Sequence, residues 1–241
     1  MTKTGQQVAL LTGATGFIGC QLATHLLEKG WSVHAIVREN SDLSRLQPFA
    51  DKLSLHVHDG SMAKMLDIVA DSRPDVVFHL AAWVGVEHRP EDLDSLLQTN
   101  ILFGAQLVEA MHVSGVDKLV NAGTYWQFYD STEYNPINLY AASKQAFQDI
   151  LSYYQSLSLR AISLILYDTY GPHDPRPKIL NLLQRAAESG EELAMSPGEQ
   201  YLDLVYIDDV VAAFRIAAER LMQTEEAGGT FAVSAGATLT L

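Results

Sequence analysis

Three glycines spaced three residues apart, Gly13, Gly16 and Gly19, stand between an apolar run at 8–11 and an apolar-periodic stretch at 18–27. The run reads as a buried strand and the stretch as a helix, so the glycines fall on the turn that joins them. A backbone that must turn tightly there and come close to an anion needs residues without a Cβ. The helix then aims its first amides and its dipole at the same point. Gly13, Thr15, Gly16, Phe17, Ile18 and Gly19 are therefore the candidate cradle for a phosphate.

The alternation continues down the chain. Apolar runs at 32–37, 53–57, 76–80, 118–122 and 160–166 read as strands, with helices expected at about 62–69, 93–112 and 140–157. Nearly all-apolar strands separated by helices call for a parallel sheet covered on both faces. Right-handed crossovers make that sheet doubly wound, with its ligand at the carboxyl ends of the strands. From Tyr167 the rhythm changes. A proline-rich loop at 171–177 leads to a helix at 178–189, a loop around Pro197, a short strand at 202–207 and a helix at 208–221 with Asp208 as its expected N-cap. The reading is an α/β fold: residues 1–166 plus about 204–221 form the nucleotide-binding domain, and 167–203 plus 222–241 a small substrate lobe.

Composition narrows the class of partner. The formal charge of −13 argues against nucleic acid or an anionic membrane surface. No long uninterrupted apolar run suggests a membrane span, and the first residues lead straight into a strand rather than a signal peptide. The single cysteine, Cys20, is expected to be a small packing residue and cannot form an internal disulfide, which fits a reducing cytoplasm. No metal is called for.

Several residues at strand ends carry chemistry. The second strand ends in Arg38 where many dinucleotide sites have an acid for the ribose hydroxyls. A planar guanidinium suits a phosphate dianion, so NADP(H) is expected over NAD(H). Asp59, followed by Gly60, either hydrogen-bonds an adenine amino group or is an ordinary loop residue that caps the next helix. His79-Leu80-Ala81-Ala82 ends the fourth strand; Leu80, Ala81 and Ala82 would let a cofactor lie flat, and His79 reads as a packed structural residue. Tyr140 and Lys144, four apart on one helix face, can point into one site. A tyrosine with a reference pKa of about 10 exchanges its proton poorly at neutral pH, and a nearby ammonium, with the positive nicotinamide of an oxidised cofactor, is expected to lower that value. Thr124, after the fifth strand, offers a hydroxyl beside them.

Taken together, Thr12-Gly13-Ala14-Thr15-Gly16-Phe17-Ile18-Gly19, His79-Leu80-Ala81-Ala82, Asn100 with Gly104, the Tyr140/Lys144 pair, Tyr170-Gly171-Pro172 and Leu204 to Val210 resemble an extended short-chain dehydrogenase/reductase. This is the NAD-dependent epimerase/dehydratase group, built on a Rossmann fold, and the match spans nearly the whole chain. The resemblance implies Tyr140 as acid/base, Lys144 as its pKa partner, Thr124 as the hydroxyl on the substrate oxygen, and Asn100 as structural or part of a proton relay. It implies a homodimer through the helices at 93–112 and 140–157.

Two departures shape the functional reading. The loop after the fifth strand reads Asn121-Ala122-Gly123-Thr124-Tyr125-Trp126-Gln127, and one alignment of it puts Ala122, not Thr124, at the family's hydroxyl position. The chain stops at Leu241, where relatives continue through further lobe helices, so the lobe is expected to be reduced or the sequence truncated. Sugar-nucleotide dehydratases resemble one another in an Asp-Glu pair after the catalytic Thr; Tyr125 and Trp126 stand there instead. The loop and the Tyr170 to Arg176 segment look similar to the CDP-abequose and CDP-paratose synthase type. The expectation is an NADPH-dependent reductase of the 4-keto group of a nucleotide-linked deoxysugar, with an NAD-dependent 4-epimerase or a non-catalytic NADP-binding regulator as alternatives. Tyr125, Trp126 and Gln127 face the sugar or base or else pack the lobe. Arg176 and Lys178 hold the substrate pyrophosphate or else are exposed bases beside a proline loop.

Overall fold

A computed structural model describes residues 5–195, 197–226 and 228–240. Strands β1 (Val8–Thr12), β2 (Ser32–Arg38), β3 (Leu53–His58), β4 (Val76–His79), β5 (Lys118–Thr124) and β6 (Arg160–Leu166) alternate with helices α1 (Phe17–Glu28), α2 (Met62–Ser72), α3 (Leu93–Leu97), α4 (Phe103–Val113) and α5 (Leu139–Ser156). Beyond β6 come β7 (Asp168–Tyr170), α6 (Ile179–Ser189), β8 (Tyr201–Leu202), β9 (Leu204–Tyr206), α7 (Ile207–Gln223), β10 (Gly228–Val233) and β11 (Leu239–Thr240). The central sheet runs β10-β6-β5-β4-β1-β2-β3, all parallel. It reverses direction at β1, where a doubly wound sheet opens its crevice. One face packs on α1 and α7 and the other on α2, α4 and α5, each with its own apolar core.

Four expectations need correction. The helix expected at 93–112 is interrupted by a wide π-type turn, Gln98–Leu102, between α3 and α4. Asn100 lies in that turn and its side chain is spent on neighbouring segments, as described below. Asp208 is not the N-cap of α7; it sits inside the first turn with Asp209, and Tyr206 precedes the helix. There both acids favour the helix dipole without capping it. The strand expected at 202–207 is two short ones, β8 pairing antiparallel with β11 and β9 parallel with β7. Finally, Gly228–Val233, placed in the lobe by composition, extends the main sheet beside β6. Gly228 makes that approach possible, with φ at +110° and a site where a Cβ would sit 1.9 Å from the Ala161 carbonyl oxygen. Among the described residues no helix is long and apolar enough to cross a membrane.

Parallel pairing brings the carboxyl ends of β1, β4 and β5 to one edge, and everything that follows is built there.

Candidate active site

The turn after β1 is shaped by close backbone contact. Gly13 has φ +75°, and a Cβ on it would lie 2.7 Å from the Ala81 nitrogen. A Cβ on Gly19 would lie 2.1 Å from the Gly13 carbonyl oxygen, so α1 rests directly on the loop. Gly16 differs: its nearest neighbour would be 3.3 Å away, and the residue faces solvent. It is the N-cap of α1, with no side-chain cap and no acid in the first turn. Those amides and the dipole fit an anion, and the bare Gly16 surface fits its close approach. Thr15 and Ile18 are half-buried around it and Phe17 is buried.

Thr12, which opens the glycine motif but was given no role of its own, joins the two strand ends. Its buried Oγ1 accepts from the amides of Leu80 and Ala81, both at 3.1 Å, and lies 2.9 Å from His79 Nδ1. With both amides donating, donor counting sends the hydroxyl hydrogen to Nδ1 and leaves the ring proton on Nε2. His79 packs against Phe103 and Phe147. Burial, and then the Lys144 charge, hold it down to about 3, so it is neutral throughout the neutral range and serves as a structural residue. A polar residue in an otherwise apolar strand was the available signal for Thr12.

On the other side of the crevice Arg38 ends β2 exposed, its amide bonded to Ser41 Oγ at 2.9 Å. Among the described residues its guanidinium has no carboxylate within ion-pair reach. Asp59 is exposed and accepts from the Ser61 amide at 2.8 Å; Ser61, not Asp59, caps α2 by accepting from the Lys64 amide. Gly60 adopts φ +92° and its carbonyl accepts from Gln106.

The helix α5 brings the acid/base candidates to the floor of the crevice. Asn138 caps it by accepting from the Ala141 amide at 2.9 Å. Tyr140 and Lys144 follow on the buried face. Asn100 holds this helix to the strand ends: its Oδ1 accepts from the Trp83 amide at 2.7 Å, and its Nδ2 donates to the Trp83 carbonyl at 3.0 Å and to Ser143 Oγ at 2.8 Å. Asn100 thus places the β4 loop and Lys144's neighbour, and it makes these contacts within the protein.

Tyr140 departs from its expected electrostatics. Burial raises its phenol to about 12, against a lowering hydrogen bond with Thr124 and the lowering charge of Arg176. Fully buried, Lys144 is itself pushed down to about 8 by desolvation, and no ion-pair partner lies within 4.0 Å among the described residues. Desolvation is the largest influence on both groups, and the spacing argument did not weigh it. Thr124, at the end of β5, lies beside Tyr140 and lowers its phenol through a side-chain hydrogen bond.

The loop after β5 divides in two. Trp126 stands edge-on to the Tyr140 ring, centroids 5.9 Å apart, and Tyr125 stacks on Tyr167 at 5.1 Å. Gln127 turns the other way: it is buried, its Oε1 accepts from the Thr124 amide, and its Nε2 donates to Gln145. It braces the loop rather than facing the site. Lys178 and Arg176, expected as free cations, are both paired. Lys178 Nζ lies 2.6 Å from Asp168 Oδ1 and 5.8 Å from the Trp126 ring. Arg176 forks onto Asp174, whose side chain is only 1% exposed. Asp168, which also accepts from the Tyr125 hydroxyl, and Asp174 had no sequence signal beyond their place in the loop.

The residues at 9–233 match the family model described as the NAD dependent epimerase/dehydratase family. The chain is 31% identical over 205 residues to the CDP-abequose synthase of Yersinia pseudotuberculosis, covering 85% of this chain and 70% of that protein. It is 29% identical over 222 residues to a UDP-glucose 4-epimerase of Mycolicibacterium smegmatis, covering 85% of this chain and 71% of the other. The solved UDP-glucose 4-epimerase of Thermus thermophilus, in complex with NAD, superposes with a TM-score of 0.80 at 26% identity over 96% of this chain and 79% of that one. The chain belongs to the NAD dependent epimerase/dehydratase family, the extended short-chain dehydrogenase/reductases.

Proposed function

We propose that this member of the family is an NADPH-dependent reductase acting on the 4-keto group of a nucleotide-linked deoxysugar, of the CDP-4-keto-3,6-dideoxyhexose type. The observation that carries the reading is the wall beside the acid: after Thr124 come Tyr125 and Trp126, Trp126 edge-on to Tyr140 and Tyr125 edge-on to Trp126, where a dehydratase has a pair of carboxylates to remove water. Likeness to a CDP-abequose synthase over most of the chain supports it. The residues fit a dinucleotide. Gly13, Gly16 and Gly19 with the uncapped α1 N-terminus suit its pyrophosphate, Leu80, Ala81 and Ala82 line the strand end, and Asp59 offers an acceptor for an adenine amino group. Arg38, exposed and without a carboxylate partner among the described residues, favours a 2′-phosphate, hence NADP(H).

The chemistry that a bound reduced nicotinamide supplies is hydride donation to a carbonyl carbon. The chain does the rest. Thr124 and Tyr140 donate hydrogen bonds to the carbonyl oxygen, and Tyr140 gives up its proton as negative charge develops there. A phenol held near 12 stays protonated until that moment. Lys144, its ammonium buried one turn away, stabilises the resulting phenolate and the ribose. Tyr125 and Trp126 orient the sugar, with Lys178 and Arg176 at the lobe. Exposed Leu97, Leu102, Tyr153 and Leu157 on the α3–α5 face support a homodimer.

The test is the purified chain with CDP-4-keto-3,6-dideoxyglucose and NADPH, following NADPH loss and determining the C4 configuration of the product. Turnover that Tyr140→Phe lowers by about 10²–10⁴-fold, with NADPH binding kept, supports the reading. Near-normal turnover in that variant overturns it. A second reading, a 4-epimerase, is supported by the 29% identity to a UDP-glucose 4-epimerase. It predicts NAD bound as purified and UDP-hexose interconversion without added reductant.

A further inference from the structure

Four polar residues stand in one register row across the middle of the central sheet. Thr12 on β1 pairs with His79 on β4, His79 with Asn121 on β5, and Asn121 with Ser163 on β6. Each is at most 1% exposed. His79 packs on Phe147 and Ser163 reaches Gln148, both on α5, so the row lies under that helix. Hydrogen bonds run inward from both ends. Thr12 Oγ1, which holds the Leu80 and Ala81 amides, donates to His79 Nδ1 at 2.9 Å. At the far end Ser163 Oγ donates to Gln148 Oε1 at 2.5 Å and accepts from Asn121 Nδ2 at 3.2 Å. The two halves do not meet. His79 Nε2, which carries the ring proton, and Asn121 Oδ1 are both buried and, among the described residues, have no hydrogen-bond partner. One is a donor and the other an acceptor, on side chains that are neighbours in register. Two buried polar atoms left unmet are strongly destabilising, and protein interiors satisfy such pairs with an internal water that accepts from one and donates to the other.

We propose that one internal water molecule bridges His79 Nε2 and Asn121 Oδ1, and that Asn121 is thereby a positioning residue for the floor of the cofactor crevice. The bridge completes a polar chain from the strand ends beside the glycine turn to Gln148, one turn beyond Lys144 on α5. That chain fixes His79 in its Nε2-protonated form and keeps the Thr12 hydroxyl under the Leu80 and Ala81 amides. It also sets the height, above the strand ends, of the helix that carries Tyr140 and Lys144. The positioning role rests on the reading of this crevice as a nicotinamide-cofactor site; the water does not.

Two measurements on the full chain need neither variant nor ligand. A high-resolution crystal structure is expected to show an ordered water within hydrogen-bond distance of both atoms. Nitrogen NMR of the imidazoles is expected to find the His79 proton on Nε2, in slow exchange with solvent. A dry site, a direct His79–Asn121 hydrogen bond or a proton on Nδ1 overturns the proposal. Fluorescence titration with NADPH and with NADH then reads the positioning role. Asn121→Leu should shift the His79 nitrogens and weaken whichever cofactor binds more tightly by about tenfold. Asn121→Asp, which keeps an acceptor oxygen, should restore most of both. Unmoved nitrogens in Asn121→Leu, or moved nitrogens beside unaltered cofactor binding, overturn that role. If circular dichroism finds Asn121→Leu unfolded, Ser163→Ala, which cuts the chain on the far side of Asn121, decides by the same criteria. A wild-type chain that binds neither cofactor overturns the functional reading and the positioning role with it, while the crystal structure and the NMR still decide the water.

Discussion

The glycine turn and the lobe loop face each other across one crevice, and they are built by opposite means. At the turn the structure is made by what is missing: Gly13 and Gly19 leave no room for a Cβ, and the α1 N-terminus carries no capping side chain. Across from it the work is done by long side chains, with Arg176 on Asp174, Lys178 on Asp168 and Trp126 against Tyr140. Backbone geometry tolerates almost no substitution, whereas side-chain pairs can be exchanged for others of similar shape. The glycine end is accordingly intolerant of substitution, and the lobe end is open to exchange of its side chains.

The largest effect expected from breaking that contrast is at Gly19. Gly19→Ala forces a Cβ to within 2.1 Å of the Gly13 carbonyl oxygen. It should cost about 3 kcal/mol of stability and abolish NADPH binding; denaturant melts and fluorescence titration check both.

Next comes Lys144, whose burial sets function against stability. With its folded value near 8 and an unfolded value near 10.5, the unfolded chain binds the extra proton between those limits. Stability should therefore rise as pH goes from about 8 to about 10.5, the charged form being the penalised one. Lys144→Met should remove that rise and gain about 1–3 kcal/mol at neutral pH while losing most turnover. Melts across pH measure the first, and steady-state assays the second. A third, smaller effect is expected at Arg38, where Arg38→Ala should weaken NADPH by about 10-fold and leave NADH nearly unchanged. Paired titrations of the two cofactors read it directly. Smallest is Lys178→Met: the Lys178–Asp168 pair is partly exposed, and thermal melts should move by less than about 1 kcal/mol.

Legibility followed the same divide. The glycine spacing, the alternation of apolar runs and helices, and the four-residue step from Tyr140 to Lys144 were readable because strand, turn and helix geometry act on neighbours in sequence. The pairing of Thr124 with Tyr140 was not: only the fold brings the β5 end against α5. Gln127 shared a loop with Trp126 and turned away from it to hydrogen-bond Gln145 on α5. Nor was the rise of the Tyr140 phenol on burial legible, since spacing reports proximity and says nothing of the water lost when the side chain is enclosed.

By itself, then, the sequence determined a doubly wound sheet, a close-packed glycine turn ahead of α1 and a Tyr/Lys face on one helix, because each rests on local periodicity or on the absence of a Cβ. The tertiary structure alone decided which cations are already neutralised, that β10 joins the main sheet, and that the 171–177 loop is strapped over the glycine turn through Asp174, Arg176 and Phe17. Those outcomes depend on desolvation and on contacts between residues far apart in the chain, and no pattern along one strand of sequence encodes them.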